Sequence, residues 1–299
     1  MKNIEQIKAP KGVIMAGGSG SRLSPVTKVV SKHLLPIFDK PMIFYPLSVL
    51  FLAGVKEVLI VVNEIDLADF QAVLGTGEKF GVSIVYKTQS EPKGIADGFS
   101  LISDFVQDST FLFALGDNLF FGNDFVQMLG AAVTENQGAT IFLQHVTNAS
   151  QFGIASFDQN GNLAKITEKP KGVLNGNAIT GLYVFDSSVI EVAKQLSPSE
   201  RGELEITDVL THYMKKKNIR CENLGRGFLW FDAGTPQDLA EASNIIKSSE
   251  DRLGYQIGAI DLIAYRNGWI DLRQLEKNID ELKNSEYGMR LQRSLLPKN

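Results

Sequence analysis

The chain has 299 residues, of which 44% are hydrophobic and 21% are charged, with a formal net charge of −4 at pH 7. This composition supplies a substantial core for one large or two ordinary domains and excludes an intrinsically disordered protein. The single cysteine, Cys221, excludes an intrachain disulfide and is typical of a reducing compartment. Residues 1–11 lack the apolar core of a signal peptide, and the run at 46–55 is too short to span a membrane. We therefore expect a cytoplasmic protein with no membrane and no nucleic-acid partner.

Apolar runs alternate with helix-like segments through the first half of the chain. The runs predict strands at residues 13–16, 57–62, 82–86, 110–115 and 140–145. The intervening segments predict helices at residues 42–53, 67–74, 95–105 and 125–135. This alternation predicts an α/β fold with a mostly parallel, Rossmann-like sheet and helices on both faces. In such a fold, ligands bind at the carboxyl ends of the strands.

The second half of the chain is richer in strands and ends in helices. Residues 152–157 and 163–168 predict a β-hairpin with a type I′ turn at Asn160-Gly161, and a further strand is predicted at 179–185. This region is expected to form a β-rich insertion over the sheet edge. The remaining predictions are helices at 204–217 and 239–253, strands at 220–224 and 228–231, and two or three helices after residue 261.

The first predicted strand opens directly into a glycine-rich loop. Gly17, Gly18 and Gly20 let backbone N–H groups approach an anion closely, because no β-carbon stands in the way. Arg22 and Lys32 follow, and two cations beside such a loop suit a polyphosphate whose charge must be neutralised. The loop therefore predicts a nucleoside triphosphate site.

Two better-known glycine loops do not fit this pattern. The third glycine of a dinucleotide fingerprint is replaced by Leu23, and no acidic residue closes a clear βαβ unit at the expected distance. The Gly-Lys-Ser/Thr of a P-loop is also missing from the sequence. These departures argue against an NAD-dependent enzyme and a P-loop NTPase.

Two aspartates follow apolar strands far apart in the sequence. Asp117 follows the strand at 110–115, and Asp232 follows the strand at 228–231. Mg²⁺ takes one or two protein carboxylates and completes its octahedron with phosphate oxygens and water. Two such aspartates could therefore meet on one Mg²⁺ ion, although an aspartate after a strand is also a common turn former or helix cap.

A resemblance to a known family rests on two stretches. Gly-Gly-Ser-Gly-Ser-Arg-Leu at 17–23 and Ser-Lys-His-Leu-Leu-Pro-Ile-Phe-Asp-Lys-Pro-Met-Ile at 31–43 resemble the sugar-1-phosphate nucleotidylyltransferases, most closely the thymidylyl-transferring members. The resemblance runs from about residue 12 to about residue 291. It implies an enzyme that uses dTTP, glucose-1-phosphate and Mg²⁺, and releases pyrophosphate.

The resemblance also assigns roles to individual residues. The catalytic residues that it implies are Arg22, Lys32, Asp117, Lys169 and Asp232, with Asp117 and Asp232 holding the metal. In these enzymes the matching Lys169 contacts the sugar phosphate, Glu168 accepts bonds from sugar hydroxyls, and Gln89 with the Gly94 backbone reads the pyrimidine. The substrate-binding residues that it implies are Ala16, Gly17, Gly18, Gly20, Ser21, Gln89, Gly94, Asn118, Gly153, Glu168, Ile179 and Trp230.

Domain organisation and assembly follow from the same resemblance. It implies a nucleotidyltransferase domain at residues 1–250, with the β-rich sugar-binding region at about 146–185. Residues 251–299 would form a C-terminal helical segment for oligomer and effector contacts. The implied assembly is a homotetramer with a second site for a feedback dTDP-sugar.

The match to the family departs at a few positions. Ser21 stands where threonine is usual, Phe152 replaces a tyrosine, Ala233 replaces a threonine, and Lys93 and Asp97 differ from the common residues beside the base-reading loop. These departures bear on which sugar and which base are used. Two alternatives remain open: a UTP-dependent sugar-1-phosphate uridylyltransferase, and a catalytically silent regulatory relative.

Overall fold

A computed structural model describes residues 10–89 and 94–296. Residues 1–9 and 297–299 of the predicted domains, and Lys93 beside the predicted base site, lie outside the described residues. The strands are β1 Lys11–Ala16, β2 Pro36–Ile37, β3 Lys40–Pro41, β4 Glu57–Asn63, β5 Ser83–Gln89, β6 Phe111–Leu115, β7 Asn118–Phe121, β8 Ala139–Val146, β9 Gly153–Phe157, β10 Leu163–Glu168, β11 Gly176–Phe185, β12 Ile219–Asn223 and β13 Leu229–Asp232. The α-helices are α1 Phe44–Leu52, α2 Leu67–Leu74, α3 Gly98–Val106, α4 Phe125–Thr134, α5 Val189–Lys194, α6 Ile206–Lys215, α7 Pro236–Leu253, α8 Ile260–Arg266, α9 Leu272–Leu282 and α10 Glu286–Ser294.

The centre of the fold is a parallel sheet with the strand order β6-β1-β4-β5. Ile14 of β1 lies between Ile60 of β4 and Ala114 of β6, and it faces one hydrophobic core. Its neighbours Val13 and Met15 face the core on the opposite side of the sheet. Burial on both faces explains why the central strands read as unbroken apolar runs rather than as alternating patterns. The predicted α/β fold with its central, mostly parallel sheet is confirmed.

The order of the central strands creates a crevice at one edge of the sheet. The chain moves from β1 through β4 to β5, and then returns to place β6 on the other side of β1. Reversal of the winding direction leaves an open crevice at the carboxyl ends of β1 and β6. The glycine loop follows β1 and Asp117 follows β6, so the two predicted motifs lie at this switch point.

The sheet forks at β11. The final residues of β11, from Leu182 to Phe185, pair antiparallel with β6, whereas Asn177 and Ala178 pair with β9. Strand β8 runs along the opposite edge of β11, and the register of the β11–β8 pairing shifts between Ile179 and Tyr183. The β9–β10 hairpin is therefore continuous with the main sheet, and a gap separates it from β6. The β9–β10 hairpin and β6 therefore form opposite walls of a pocket at this gap.

A two-stranded ribbon brings distant parts of the chain together beside the crevice. Strands β7 and β13 pair antiparallel, with Asp232 opposite Asn118, and the N–H of Ala233 donates to the carbonyl of Asp117 at 2.9 Å. Helix α7 leaves this ribbon, and the hydroxyl of Thr235 caps it by accepting from the N–H of Asp238 at 3.2 Å.

The C-terminal helices pack on α1 and share its hydrophobic core. Phe51 of α1 meets the Trp269 ring edge-on with centroids 5.3 Å apart. The buried Lys40 ammonium lies 2.5 Å from Asp39 and 3.3 Å from Glu250, which ties β3 to α7. Three helices follow residue 259, within the predicted two or three. In the part of the chain that the structure describes, no helix has both the length and the apolar character needed to cross a membrane.

Two local predictions differ from the structure, and the short strands β2 and β3 and the short helix α5 lie where no element was predicted. The hairpin turn is not type I′, because among residues 158–162 only Gly161 has a positive φ, of 80°, whereas type I′ needs two such residues. Asp158 stabilises a five-residue loop instead, by accepting the N–H groups of Asn160 and Asn162 at 2.9 Å each. Helix α7 begins at Pro236, three residues before the predicted start at residue 239, because Thr235 caps it. The short strand β7 was not predicted.

Candidate active site

Two cavities meet at the crevice beyond β1 and β6. The larger, about 470 Å³, is the glycine-loop cavity, lined by Gly17, Gly18, Lys32, Gln89, Gly94 and their neighbours. The smaller, about 200 Å³, is the hairpin cavity, lined by Asn118, Gly153, Glu168, Lys169, Ile179, Trp230, Asp232 and their neighbours. The residues that line both are Arg22, Ile95, Leu115 and Asp117. Molecules bound in the two cavities would therefore share contacts with Arg22 and Asp117.

The glycine loop is held by a residue that sequence reasoning missed. Asn63, at the end of β4, accepts the N–H of Gly18 at 3.2 Å and donates to the Gly18 carbonyl at 3.1 Å. Gly18 has a φ of 103°, a conformation that strains other residues. The rule that ligands gather at strand ends would have drawn attention to Asn63, because β4 is the neighbour of β1.

The two cations of the loop region reach the shared wall of the cavities. The Lys32 ammonium forms an ion pair with Asp117. Arg22 lies against Gly234, where a β-carbon would be 2.7 Å from its Nη2 atom. The ribbon of β7 and β13 thus leaves room for the guanidinium beside the aspartates.

The two aspartates lie together, with contrasting electrostatics. Burial would raise the pKa of Asp117, but Lys32 and His33 outweigh it and hold the pKa at about 2. Burial and the charge of Asp117 raise the pKa of Asp232 to about 7, although Lys32 and Arg22 oppose this shift. Asp232 therefore lacks a full counter-charge, which is the condition that a divalent cation between two carboxylates would relieve.

His33 lines the glycine-loop cavity, although sequence reasoning assigned it no role. Its ring is buried, and burial together with Lys32 lowers the pKa of His33 to about 3. The ring is therefore neutral near pH 7. A β-carbon at Gly116 would lie 2.7 Å from the ring, so His33 packs directly against the turn that presents Asp117.

Asn118 joins the two sides of the hairpin cavity. Its amide donates to Asp117 at 2.9 Å, and its oxygen accepts from the Trp230 indole at 2.6 Å and from the Gly181 N–H at 3.2 Å. The Trp230 ring packs on Phe152 with centroids 5.0 Å apart. Asn118 thus fixes the aspartate turn, the ribbon and the fork of β11 relative to one another.

A charged cluster lies at the far wall of the hairpin cavity. Glu168 lies 3.6 Å from Lys169 and 3.4 Å from Arg201. Burial raises the pKa of Glu168, although these cations oppose the shift. The backbone at Gly153 passes close to Thr207, because a β-carbon there would lie 2.8 Å from the Thr207 side chain. Arg201 and Thr207 belong to the stretch 201–208, in which sequence reasoning assigned no site residue.

The base-reading candidates lie at the other end of the crevice. Gln89 ends β5 and is buried, and its amide donates to Asp97 at 3.0 Å. Gly94 has a φ of 106°, and a β-carbon there would lie 2.5 Å from the Leu204 carbonyl oxygen. Glycine is therefore required at residue 94 for the chain to pass Leu204.

Three of the predicted substrate-binding residues line neither cavity. Ala16 is fully buried in the core at the end of β1. Gly20 turns the loop with a φ of 56° beside Thr27, and Ser21 is exposed at the start of a 3₁₀ helix. Their contact with a substrate stays a prediction.

Comparison with known proteins shows the family to which this chain belongs. A family model described as nucleotidyl transferase matches residues 11–249. The chain belongs to the nucleotidyl transferase family. Members of this family generally use a divalent metal.

Known proteins similar to this nucleotidyl transferase cover most of its length. A glucose-1-phosphate thymidylyltransferase from Neisseria meningitidis is 42% identical over 285 residues, which is 95% of this chain and 99% of the relative. A solved Bacillus anthracis structure that carries the same enzyme name is 38% identical, with a TM-score of 0.74 over 79% of this chain and 95% of that one. A UDP-glucose pyrophosphorylase solved with UDP-glucose has a TM-score of 0.71 at 22% identity, over 81% of this chain and 100% of that one, and shows the shared fold.

Proposed function

We propose that this nucleotidyl transferase transfers a thymidylyl group from dTTP to glucose-1-phosphate, giving dTDP-glucose and pyrophosphate. The observation that carries the proposal is the meeting of the two cavities at Arg22 and Asp117. Transfer between two phosphates needs both anions at one place, with positive charge between them. The thymidylyl and glucose specificity is supported by the names of relatives that match over 93% to 95% of the chain.

Each cavity suits one of the two substrates. The glycine loop and Lys32 surround space for a triphosphate, and the Gln89 amide can pair with the edge of a pyrimidine. In the hairpin cavity Lys169 can neutralise a sugar phosphate, while Glu168 offers oxygen atoms to sugar hydroxyls. The sugar phosphate then faces the α-phosphorus at the shared wall.

The reaction needs little proton chemistry from the protein. A phosphate oxygen of glucose-1-phosphate forms a bond to the α-phosphorus, the bond from that phosphorus to the bridging oxygen breaks, and pyrophosphate leaves with the electron pair. The attacking oxygen is already anionic, so a nucleophilic side chain and a strong base are unnecessary. Arg22, Lys32 and Lys169 instead hold the anions in line and offset their repulsion.

Asp117 and Asp232 fit an oxygen-binding divalent ion, which we propose is Mg²⁺. The fit is supported by the two carboxylates that line one cavity, because carboxylate oxygens are ligands that Mg²⁺ prefers, and by the raised pKa of Asp232 beside Asp117. When bound, Mg²⁺ supplies charge that stabilises the phosphates as the bond to pyrophosphate breaks. Asn118 and Lys32 hold Asp117 in place for this role.

Metal binding should depend on pH through Asp232. Because its pKa is about 7 without metal, Asp232 carries a proton at pH 6 that Mg²⁺ must displace. We expect Mg²⁺ affinity to rise between about pH 6 and pH 8, by up to about tenfold per unit below the pKa. Calorimetry in two buffers with different ionisation enthalpies would show release of nearly one proton at pH 6 and much less at pH 8. The assignment would be contradicted if the Mg²⁺ affinity did not change with pH. It would also be contradicted if Mg²⁺ binding released as many protons from Asp232→Asn as from the wild type.

The experiment that tests the function is pyrophosphate release with Mg²⁺ and glucose-1-phosphate, comparing dTTP, UTP, CTP, ATP and GTP. We expect a clear preference for dTTP. A preference for UTP would support the uridylyltransferase alternative, since thymine and uracil share the edge that Gln89 can pair with. No release with any nucleotide or sugar phosphate would contradict an enzymatic role and support the silent relative.

Assembly and regulation complete the proposal. We propose a homotetramer whose C-terminal helices contribute contacts and a second site for a dTDP-sugar. Exposed apolar side chains at Leu253, Tyr265 and Leu272 support a subunit contact on these helices. Sedimentation velocity would test the tetramer, and inhibition by dTDP-sugars at saturating dTTP would test the second site. The expected cytoplasmic location stays a prediction.

A further inference from the structure

The side-chain amide of Gln89 has a partner that determines how it is oriented. Its Nε2 atom donates to Asp97 Oδ2 at 3.0 Å. The oxygen and nitrogen of a glutamine amide differ only in whether they accept or donate, so the neighbouring groups decide which way the amide lies. An ionised carboxylate only accepts, and it therefore requires the NH₂ group to face it.

The Asp97 carboxylate can accept a hydrogen bond from Gln89 because it does not cap helix α3, which begins directly after Asp97. Asp97 occupies the N-cap position of α3, where aspartate commonly accepts a backbone N–H from the first turn. Here the side chain makes no capping hydrogen bond. Its position at the helix N-terminus still favours a negative charge. The helix thus presents a fixed acceptor to the end of β5.

With the nitrogen held by Asp97, the oxygen of Gln89 faces the glycine loop. A β-carbon built on Gly17 would lie 3.1 Å from Gln89 Oε1. Gly17, Gln89 and Gly94 all line the glycine-loop cavity. The carboxamide therefore presents an acceptor to this part of the cavity.

We propose that Asp97 is a positioning residue that fixes the Gln89 carboxamide with its oxygen toward the nucleotide base, and thereby selects thymine and uracil over cytosine. Thymine and uracil carry an N3–H donor between two carbonyl oxygens. Cytosine carries an unprotonated N3, which is an acceptor and would face the Gln89 oxygen without a hydrogen. The inference rests on the proposed function only in placing a pyrimidine nucleotide in the glycine-loop cavity.

The test is binding of dTTP, dUTP and dCTP with Mg²⁺ by calorimetry, in the full-length wild type and in Asp97→Asn. Asparagine has a similar shape but both donates and accepts, so Gln89 can adopt either orientation. Because a hydrogen bond to a charged group is lost, we expect the Kd ratio of dCTP to dTTP to fall roughly tenfold. The ratio of dUTP to dTTP should not change, because both bases carry the N3–H.

Two further variants separate orientation from a general structural effect. Asp104→Asn changes the same residue type at an exposed position of the same helix, and it should leave all three Kd values unchanged. In the double variant Gln89→Glu with Asp97→Asn, the asparagine donates to one glutamate oxygen and the other oxygen again faces the base. We expect this variant to recover preference for dTTP over dCTP relative to Asp97→Asn alone.

The inference is overturned if Asp97→Asn leaves the ratio of dCTP to dTTP unchanged, or weakens all three nucleotides equally. It is also overturned if the wild type does not prefer dTTP over dCTP, or if the double variant recovers nothing. These measurements need no glucose-1-phosphate. A wild type that binds dTTP selectively but transfers nothing would contradict the proposed function and leave the role of Asp97 standing.

Discussion

The Asp232→Asn variant is expected to lose about 10³-fold in kcat for pyrophosphate release from dTTP and glucose-1-phosphate. Asparagine keeps the shape of the side chain and the main-chain pairing of β13 with β7, but it removes one of the two carboxylate charges beside Arg22. The metal would then be held by Asp117, whose charge is already shared with Lys32. The loss should appear in kcat at saturating substrates, because the missing charge acts while the bond to pyrophosphate breaks.

The control for this variant is Asp280→Asn, since the Asp280 side chain is 74% exposed on α9. Its kcat should equal that of the wild type. Circular dichroism and thermal unfolding should show that Asp232→Asn is folded. A folded Asp232→Asn variant that keeps its turnover within a few-fold of the wild type would contradict the two-aspartate metal site.

The Arg22→Ala variant should lower kcat by about 10²- to 10³-fold under the same conditions. Arg22 lines both cavities, so its guanidinium can offset charge on the triphosphate and on the attacking phosphate. Arg22→Lys keeps a positive charge but loses the planar fork that binds phosphate in two places. We therefore expect this variant to recover only part of the lost activity.

Arg273→Ala provides the comparison for Arg22, because Arg273 is exposed on α9. Its activity should match that of the wild type. Normal kcat and normal KM in a folded Arg22→Ala variant would contradict the assignment of the reacting phosphates to the glycine-loop cavity. An effect on KM alone would place Arg22 in substrate binding rather than in stabilising the transition state.

Local sequence patterns predicted the elements that form the centre of the fold. The apolar run of β1, for example, requires burial on both faces, and the glycines that follow it require a turn that other residues would strain. These signals depend on a few adjacent residues, so they can be read without knowing the rest of the structure. Predicted strand and helix centres accordingly agree with the structure better than their ends.

Side-chain competition explains where local prediction was wrong. The Asn160-Gly161 pair favours a type I′ turn by its composition, but the Asp158 carboxylate accepts two nearby N–H groups and stabilises a longer loop. Thr235 starts α7 earlier than its apolar pattern indicates, because a capping hydroxyl satisfies an N–H that would otherwise lack a partner. In each case the hydrogen bonds of a single side chain decided the local conformation.

The sequence by itself determined the fold class and predicted a glycine loop suited to phosphate, together with the kinds of residue that the proposed chemistry needs. Only the tertiary structure decided which of them meet: the pairing of β7 with β13 brings Asp232 to Asp117, and the start of α3 brings Asp97 to Gln89. Such contacts depend on the register between distant segments, which is set by packing across the whole core rather than by neighbouring residues. The side chains of Asp97 and Asn63 acquire their roles only once that packing places them beside Gln89 and the glycine loop.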